Sequence, residues 1–184
     1  GSSPRMTGVG GAAVGATGEK EKLGLIGFGA FGRLTARHLS PWFDMRAHDP
    51  AATDGEGVAT LTDLATAAGC PTVILAVPVE AMAEVLAAIR PHLQPDALIV
   101  DVGSVKVKPA RLMDQMTPPG VRIVGAHPLF GPQSGKDGIA GLRIAVCPVR
   151  EGADARRVAA FCRRVLDLKA VSYTHLTLPT KRIV

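Results

Sequence analysis

From residue 22 onward, short apolar runs alternate with stretches whose apolar residues recur every three or four positions. The runs have strand length and the periodic stretches have helix length. Leu23–Ile26 reads as a strand, and a helix follows over residues 30–39, stopped near Ser40-Pro41. Residues 44–50, DMRAHDP, read as a second strand ending in an acid and a proline. ATLTDLATAAG, residues 59–69, reads as a helix with glycine at its end. PTVILAVP, residues 71–78, is a third and fully apolar strand, and an amphipathic helix then runs to Ile89. A fourth strand over 97–104 leads to a short helix over 108–115, and a fifth over 121–127 enters the loop GAHPLFGPQSG. LRIAVCPV is a sixth strand, ADARRVAAFCRRVLDL a helix, and residues 169–171 carry a last strand signal. This alternation predicts an α/β chain, a doubly wound and mostly parallel sheet with helices on both faces.

The two ends break the pattern. Residues 1–20 are rich in Gly, Ala and Ser and hold almost no large apolar side chain, so they are expected to form a flexible leader. Residues 172–184, SYTHLTLPTKRIV, follow neither period and are expected to be a tail unrelated to a domain spanning 21–171.

Composition narrows the classes. Apolar residues make up 47% and aromatics 4%, so the core is built from Ala, Val, Leu and Ile, as suits parallel strands covered by helices. The net charge of +5 is dispersed. Its densest group, Arg156, Arg157, Arg163 and Arg164, lies at helical spacing opposite Val158, Phe161, Val165 and Leu166, as on a solvated helix face. No aromatic residues interleave with it, and no nucleic-acid partner is expected. Cys70, Cys147 and Cys162 are odd in number, form no CxxC and have no histidine at ligand spacing. That points to neither a metal site nor a disulfide framework, and a reducing cytoplasm is the expected compartment. No apolar run approaches the roughly 20 residues that span a bilayer, so no membrane partner is expected.

Chemistry concentrates at the strand ends. Gly27-Phe28-Gly29-Ala30-Phe31-Gly32 is a GxGxxG motif with a strand running in and a helix leaving. Gly27 permits the tight turn, Gly29 lets the backbone approach a pyrophosphate, and Gly32 allows close helix–strand packing. Asp49, twenty residues beyond Gly29, can accept hydrogen bonds from both adenosine ribose hydroxyls and would repel a 2′-phosphate, favouring NAD over NADP; Arg46 and His48 complicate that preference. Taken alone, Asp49 also fits a turn former before Pro50. Gly8–Ala13, GVGGAA, resembles the motif loosely but lacks the flanking strand and helix, and no function is assigned to it.

In a doubly wound sheet ligands bind beyond the carboxyl ends of the strands. The tips Ala76-Val77-Pro78, Asp101–Lys106 and His127 are thereby expected to face one crevice with the glycine turn. Ser104 and His127 become the polar groups nearest a nicotinamide. Imidazole suits the removal of a hydroxyl proton near neutral pH. Ser104 is placed to orient the same hydroxyl, and Pro128 and Pro132 stiffen the loop around the histidine. The plainer readings are a structural or solvated histidine and a serine that caps the following helix.

GLIGFGAFG, VILAVPVEAMAEVL, IVDVGSVK and GAHPLFGPQSGKDGIAG resemble the prephenate/arogenate dehydrogenase family, in order and over about residues 23–171. The glycine motif is widely shared, whereas DVGSVK with GAHPLFGPQSG is far more specific. HPLFGPQSGKDG looks closer to the arogenate-type branch, from whose frequent NADP preference Asp49 departs. The resemblance implies a Rossmann-type NAD-binding domain and a cyclohexadienol substrate, prephenate or arogenate, in tyrosine biosynthesis. His127 matches the family's catalytic histidine and Ser104 the serine that hydrogen-bonds the ring hydroxyl. Cofactor contacts fall on Gly27, Phe28, Gly29, Ala30, Phe31, Gly32, Asp49, Ala76, Val77 and Pro78. Family members continue into a helical domain that forms a homodimer and supplies a carboxylate-binding arginine. No position here matches that domain, so this chain is expected to bind NAD and to turn over substrate poorly. A β-hydroxyacid-type dehydrogenase and a non-catalytic NAD-binding module are the alternatives.

Overall fold

Lys22–Ile26 (β1) is an interior strand of the sheet, buried from Leu23 onward. The computed structural model describes residues 19–103, 107–135, 137–150 and 154–172, the side chains of 107–109 excepted. After β1 the chain runs through helix Ala30–Leu39 (α1), strand Asp44–His48 (β2), the two-residue strand Thr60–Leu61 (β3), helix Leu64–Ala68 (α2) and strand Thr72–Leu75 (β4). A 3-10 turn at Val79–Ala81 opens helix Met82–Ile89 (α3). Strand Leu98–Asp101 (β5), helix Val107–Met116 (α4) and strand Arg122–Pro128 (β6) follow. Strand Arg143–Pro148 (β7), helix Asp154–Arg164 (α5) and strand Lys169–Ser172 (β8) complete the sequence of elements.

The eight strands form one mostly parallel sheet in the order β3-β2-β1-β4-β5-β6-β7-β8. Its first six strands have the order of a dinucleotide-binding Rossmann sheet, in which the chain reverses direction across the sheet between β1 and β4. Alternate residues of each strand feed two cores. Leu23, Leu25, Ile74, Val100, Val124 and Ala126 pack with Phe43 and Phe161 on the side of α1 and α5. Ile26, Val73, Leu75, Ile99 and Ile123 pack with Met82, Leu86 and Met113 on the side of α2, α3 and α4. Arg156, Arg157, Arg163 and Arg164 are exposed on α5, while Val158, Phe161 and Cys162 of the same helix are buried.

Four features depart from the expected elements. Residues 59–69 are not one helix. Thr60 and Leu61 pair with Arg46 and Ala47 of β2, and α2 starts only after Asp63, whose carboxylate accepts from the Thr66 amide at 2.8 Å. A cap residue in mid-segment divides edge strand from helix. Strand and helix also fail to alternate after β6. Among the described residues no helix joins β6 to β7, and β7 runs antiparallel to β6. The connection carries Pro132 and Gly131, Gly135, Gly138 and Gly141, residues that disfavour a crossover helix. The helix expected through Leu168 ends at Arg164, and Asp167 sits at φ 55°. Ser172, expected to open the tail, is the last residue of β8, opposite Val146. Residues 1–18 and 173–184, which hold nearly all of the expected leader and tail, lie outside the described residues. Among the described residues, no helix is long and apolar enough to cross a membrane and no three metal-ligating side chains come together.

Candidate functional site

The glycine turn is built by exclusion of side chains. Gly27 has φ +103°, and a Cβ there would stand 2.3 Å from the Ala76 carbonyl oxygen. A Cβ on Gly32 would stand 2.2 Å from the Gly27 carbonyl oxygen. These two positions hold the β1–α1 corner tight against the tip of β4. Gly29 is the N-cap of α1 and faces open space, with nothing within 4 Å of where a Cβ would be. The first helical bond is the Arg33 amide to the Gly29 carbonyl, so the amides of Ala30, Phe31 and Gly32 have no acceptor inside the helix. Open space before free amides at the positive end of a helix dipole suits an anion.

Asp49 is committed to this turn. One carboxylate oxygen accepts from the Phe28 amide at 2.7 Å and the other from the Ala51 amide at 2.9 Å. The turn-former role and proximity to the glycine motif therefore coexist in one side chain, and each oxygen keeps a lone pair for a further donor. Phe28 contributes differently from its neighbours. Its ring is buried in the core, its amide serves Asp49, and its carbonyl accepts from Arg33 Nη1 at 3.0 Å. Both residues that complicate Asp49's preference already have partners. Arg46 grips Asp44 through Nε and Nη2 at 3.1 and 2.7 Å, and those bonds to the carboxylate raise its pKa above the usual value. His48 Nδ1 lies 3.0 Å from the Thr62 carbonyl oxygen.

From the glycine turn the strand tips follow one another as neighbours. The Gly27 Cβ position lies 3.1 Å from Val77 Cγ1, and the Gly103 Cβ position 3.6 Å from the Val77 carbonyl oxygen. The Gly103 carbonyl in turn lies 2.9 Å from His127 Nδ1. Ala76 and Val77 are half-buried and Pro78 is exposed, so the β4 tip forms part of the surface between turn and imidazole. The loop after β6 is tied back to α1, with the Phe31 and Phe130 rings 6.2 Å apart. Gly135 packs beside Leu34, Ile139 and Phe130.

His127 does not stand out from the loop mouth as the surrounding glycines and prolines suggest. It is 4% exposed, and its ring folds back along β6 over Gly125. A Cβ on Gly125 would meet His127 Nε2 at 2.4 Å and Cys147 Sγ at 3.1 Å. A carbonyl oxygen can only accept, so Nδ1 carries the proton toward Gly103 and Nε2 of the neutral ring keeps its lone pair. Ser104 lies outside the described residues.

One polar residue of this cluster was not singled out from the sequence. Asp101, the last residue of β5, is 1% exposed. Burial raises its carboxyl pKa, against which the Gly103 amide and the nearby imidazole act to lower it. Beyond it, burial and the Asp101 charge push the Cys147 thiol up to about 11, which makes it a poor nucleophile at neutral pH. The available signal was its place at the end of the apolar run LIVD, a strand buried on both faces, where the two-residue period sets Asp101 on the face of Ile99.

Residues 46–174 match the family model described as prephenate dehydrogenase, nucleotide-binding domain. Arogenate dehydrogenase 1, chloroplastic, of Arabidopsis thaliana is 32% identical over 161 residues, a match covering 83% of this chain and 25% of that protein. The prephenate dehydrogenase of A. aeolicus, solved with hydroxyphenyl propionate and NAD+, superposes with a TM-score of 0.65 at 21% identity, over 85% of this chain and 60% of that one. The 3-hydroxyisobutyrate dehydrogenase of Mycobacterium tuberculosis reaches 0.69 at 19% identity, over 84% of this chain and 55% of that one. At these identities the structural likenesses speak for the fold.

Proposed function

Since the chain belongs to the prephenate dehydrogenase family through its nucleotide-binding domain, we propose that it holds NAD and serves the oxidative decarboxylation of prephenate or arogenate. The observation that carries this reading is the succession of neighbouring strand tips from Gly27 through Ala76, Val77 and Gly103 to His127. Three ladder steps separate β1 from β6 in the sheet, roughly 14 Å at the usual strand spacing. A dinucleotide held along those tips would meet the α1 amides at one end and the imidazole of His127 at the other.

Each residue then has a task. The amides of Ala30, Phe31 and Gly32 receive the pyrophosphate, and Gly29 leaves room for it. Asp49 receives the adenosine ribose, and its charge repels a 2′-phosphate while Arg46 and His48 hold Asp44 and the Thr62 carbonyl. NAD, when bound, supplies a two-electron oxidant for the ring carbon that bears the hydroxyl. His127 Nε2 takes the hydroxyl proton as the C–O bond becomes a carbonyl, and Ser104 orients that hydroxyl. The carbonyl so formed draws in the electron pair of the ring-carboxylate bond, carbon dioxide leaves, and the ring becomes aromatic.

The chain spans about a quarter of its plant relative and 60% of the A. aeolicus enzyme. Turnover, the choice between prephenate and arogenate, and dimerisation are accordingly proposed for the whole protein, and the compartment for a reducing cytoplasm. Calorimetric titration of this chain tests the cofactor half of the reading. NAD is expected to bind at least tenfold more tightly than NADP. Heat from neither nucleotide, or tighter NADP, refutes it.

A further inference from the structure

We infer that Asp101 is the positioning residue for His127, acting through the main chain of Gly103. This rests on the reading of His127 as the base and extends it by one residue. Asp101, Gly125 and Cys147 lie side by side on β5, β6 and β7, paired in register and facing the α2–α4 side of the sheet. Gly125 has no side chain, and the imidazole occupies the space so left, between a carboxylate on one strand and a thiol on the other. The Asp101 carboxylate accepts from the Gly103 amide at 2.9 Å. That bond closes a tight turn two residues beyond β5 and aims the Gly103 carbonyl at His127 Nδ1, also at 2.9 Å. The path from carboxylate to imidazole is thus a single residue of backbone, with a hydrogen bond at each end.

Chemically the arrangement does what a carboxylate bound directly to an imidazole does elsewhere. It fixes the tautomer and the ring plane, leaving Nε2 as the basic nitrogen. The carboxylate also sits near enough to the ring to sense its charge, and the imidazole acts to lower the Asp101 pKa. A buried carboxylate is costly unless it is held by hydrogen bonds. Packing alone would be served better by an apolar residue such as Ile99, its neighbour on the same strand face.

The test reads the ring nitrogens of His127 by two-bond 1H–15N correlation on the full chain, at a pH where the ring is neutral. Wild type is expected to show Nδ1 protonated and Nε2 bare. Asp101→Asn keeps an acceptor oxygen for the Gly103 amide and is expected to retain that tautomer. Asp101→Val and Asp101→Ala, two sizes of side chain without an acceptor, are expected to yield a mixture of tautomers and broader signals. A proton on Nε2 in the wild type overturns the inference without any variant. So does an unchanged tautomer in whichever acceptor-free variant folds, or its loss in Asp101→Asn. NAD titration on the same samples keeps the two readings apart. Failure to bind NAD with the tautomers as expected removes the proposed function and leaves the positioning role standing.

Discussion

Adding a single methyl group at two neighbouring positions of the glycine turn separates its structural part from its binding part. In Gly32→Ala the new Cβ meets the Gly27 carbonyl oxygen at 2.2 Å, where ordinary contact begins at 3.4 Å. Helix α1 must retreat by at least about 1 Å from a rigid corner, and such overpacking costs about 1–3 kcal/mol. For a chain of this size that lowers Tm by about 2–12 °C. In Gly29→Ala the Cβ meets nothing, and φ of −76° is open to alanine. The poorer N-cap and the stiffer unfolded chain oppose each other and offset to within about 1 kcal/mol. Yet this methyl projects into the space proposed for the pyrophosphate. Loss of one charge-assisted hydrogen bond there, about 1.5–3 kcal/mol, weakens NAD roughly 10- to 150-fold. Thermal unfolding and NAD calorimetry on both variants decide the matter. Gly29→Ala with wild-type affinity refutes the phosphate seat, and Gly32→Ala with wild-type Tm refutes the packing argument.

Asp49→Ala removes the acceptor for two amides, so both Tm and NAD affinity are expected to fall, with NADP affected less than NAD. An unchanged NAD-to-NADP ratio on titration would leave Asp49 a turn former only. Burial pushes the Cys162 thiol up to about 12 from 9.0, so the stability it contributes is whole below pH 9 and is lost as pH climbs toward 12. At about pH 10.5 that loss is about 2 kcal/mol, and urea midpoints from about pH 8 upward are expected to fall more steeply in wild type than in Cys162→Ala. Parallel slopes would contradict it. Joined to the remaining sequence of a complete family member, the domain is expected to oxidise prephenate or arogenate in a coupled absorbance assay, and His127→Asn to lower kcat by about 10²–10⁴-fold; wild-type turnover in that variant would exclude His127 as the base.

Much of this is legible in the sequence. The β1 run, the three glycines and the ten-residue helix after them are local features, and local features survive into the fold. Asp49 was legible as a position but not as a pair of backbone hydrogen bonds, because its partners are set by how β2 lies against the turn. The β3–α2 region was misread for a related reason. Thr60 and Leu61 are strand only because β2 is there to pair with, and no two-residue period fits in two residues. Strand direction was hidden as well, since RIAVCP reads the same in a parallel or an antiparallel ladder. Asp101 escaped because the acid that opens DVGSVK looks like part of a turn, although it ends an apolar run that reads as a strand buried on both faces.

The imidazole lying over Gly125 ties two positions into one unit of inheritance. As long as the ring rests there, no residue bearing a β carbon fits at 125, and any larger residue at 125 evicts the ring. Position 125 cannot drift alone. A lineage that abandons the histidine removes the tighter of the two obstructions, leaving only Cys147 Sγ at 3.1 Å, so among descendants of this domain a side chain at 125 should travel with the disappearance of the imidazole at 127.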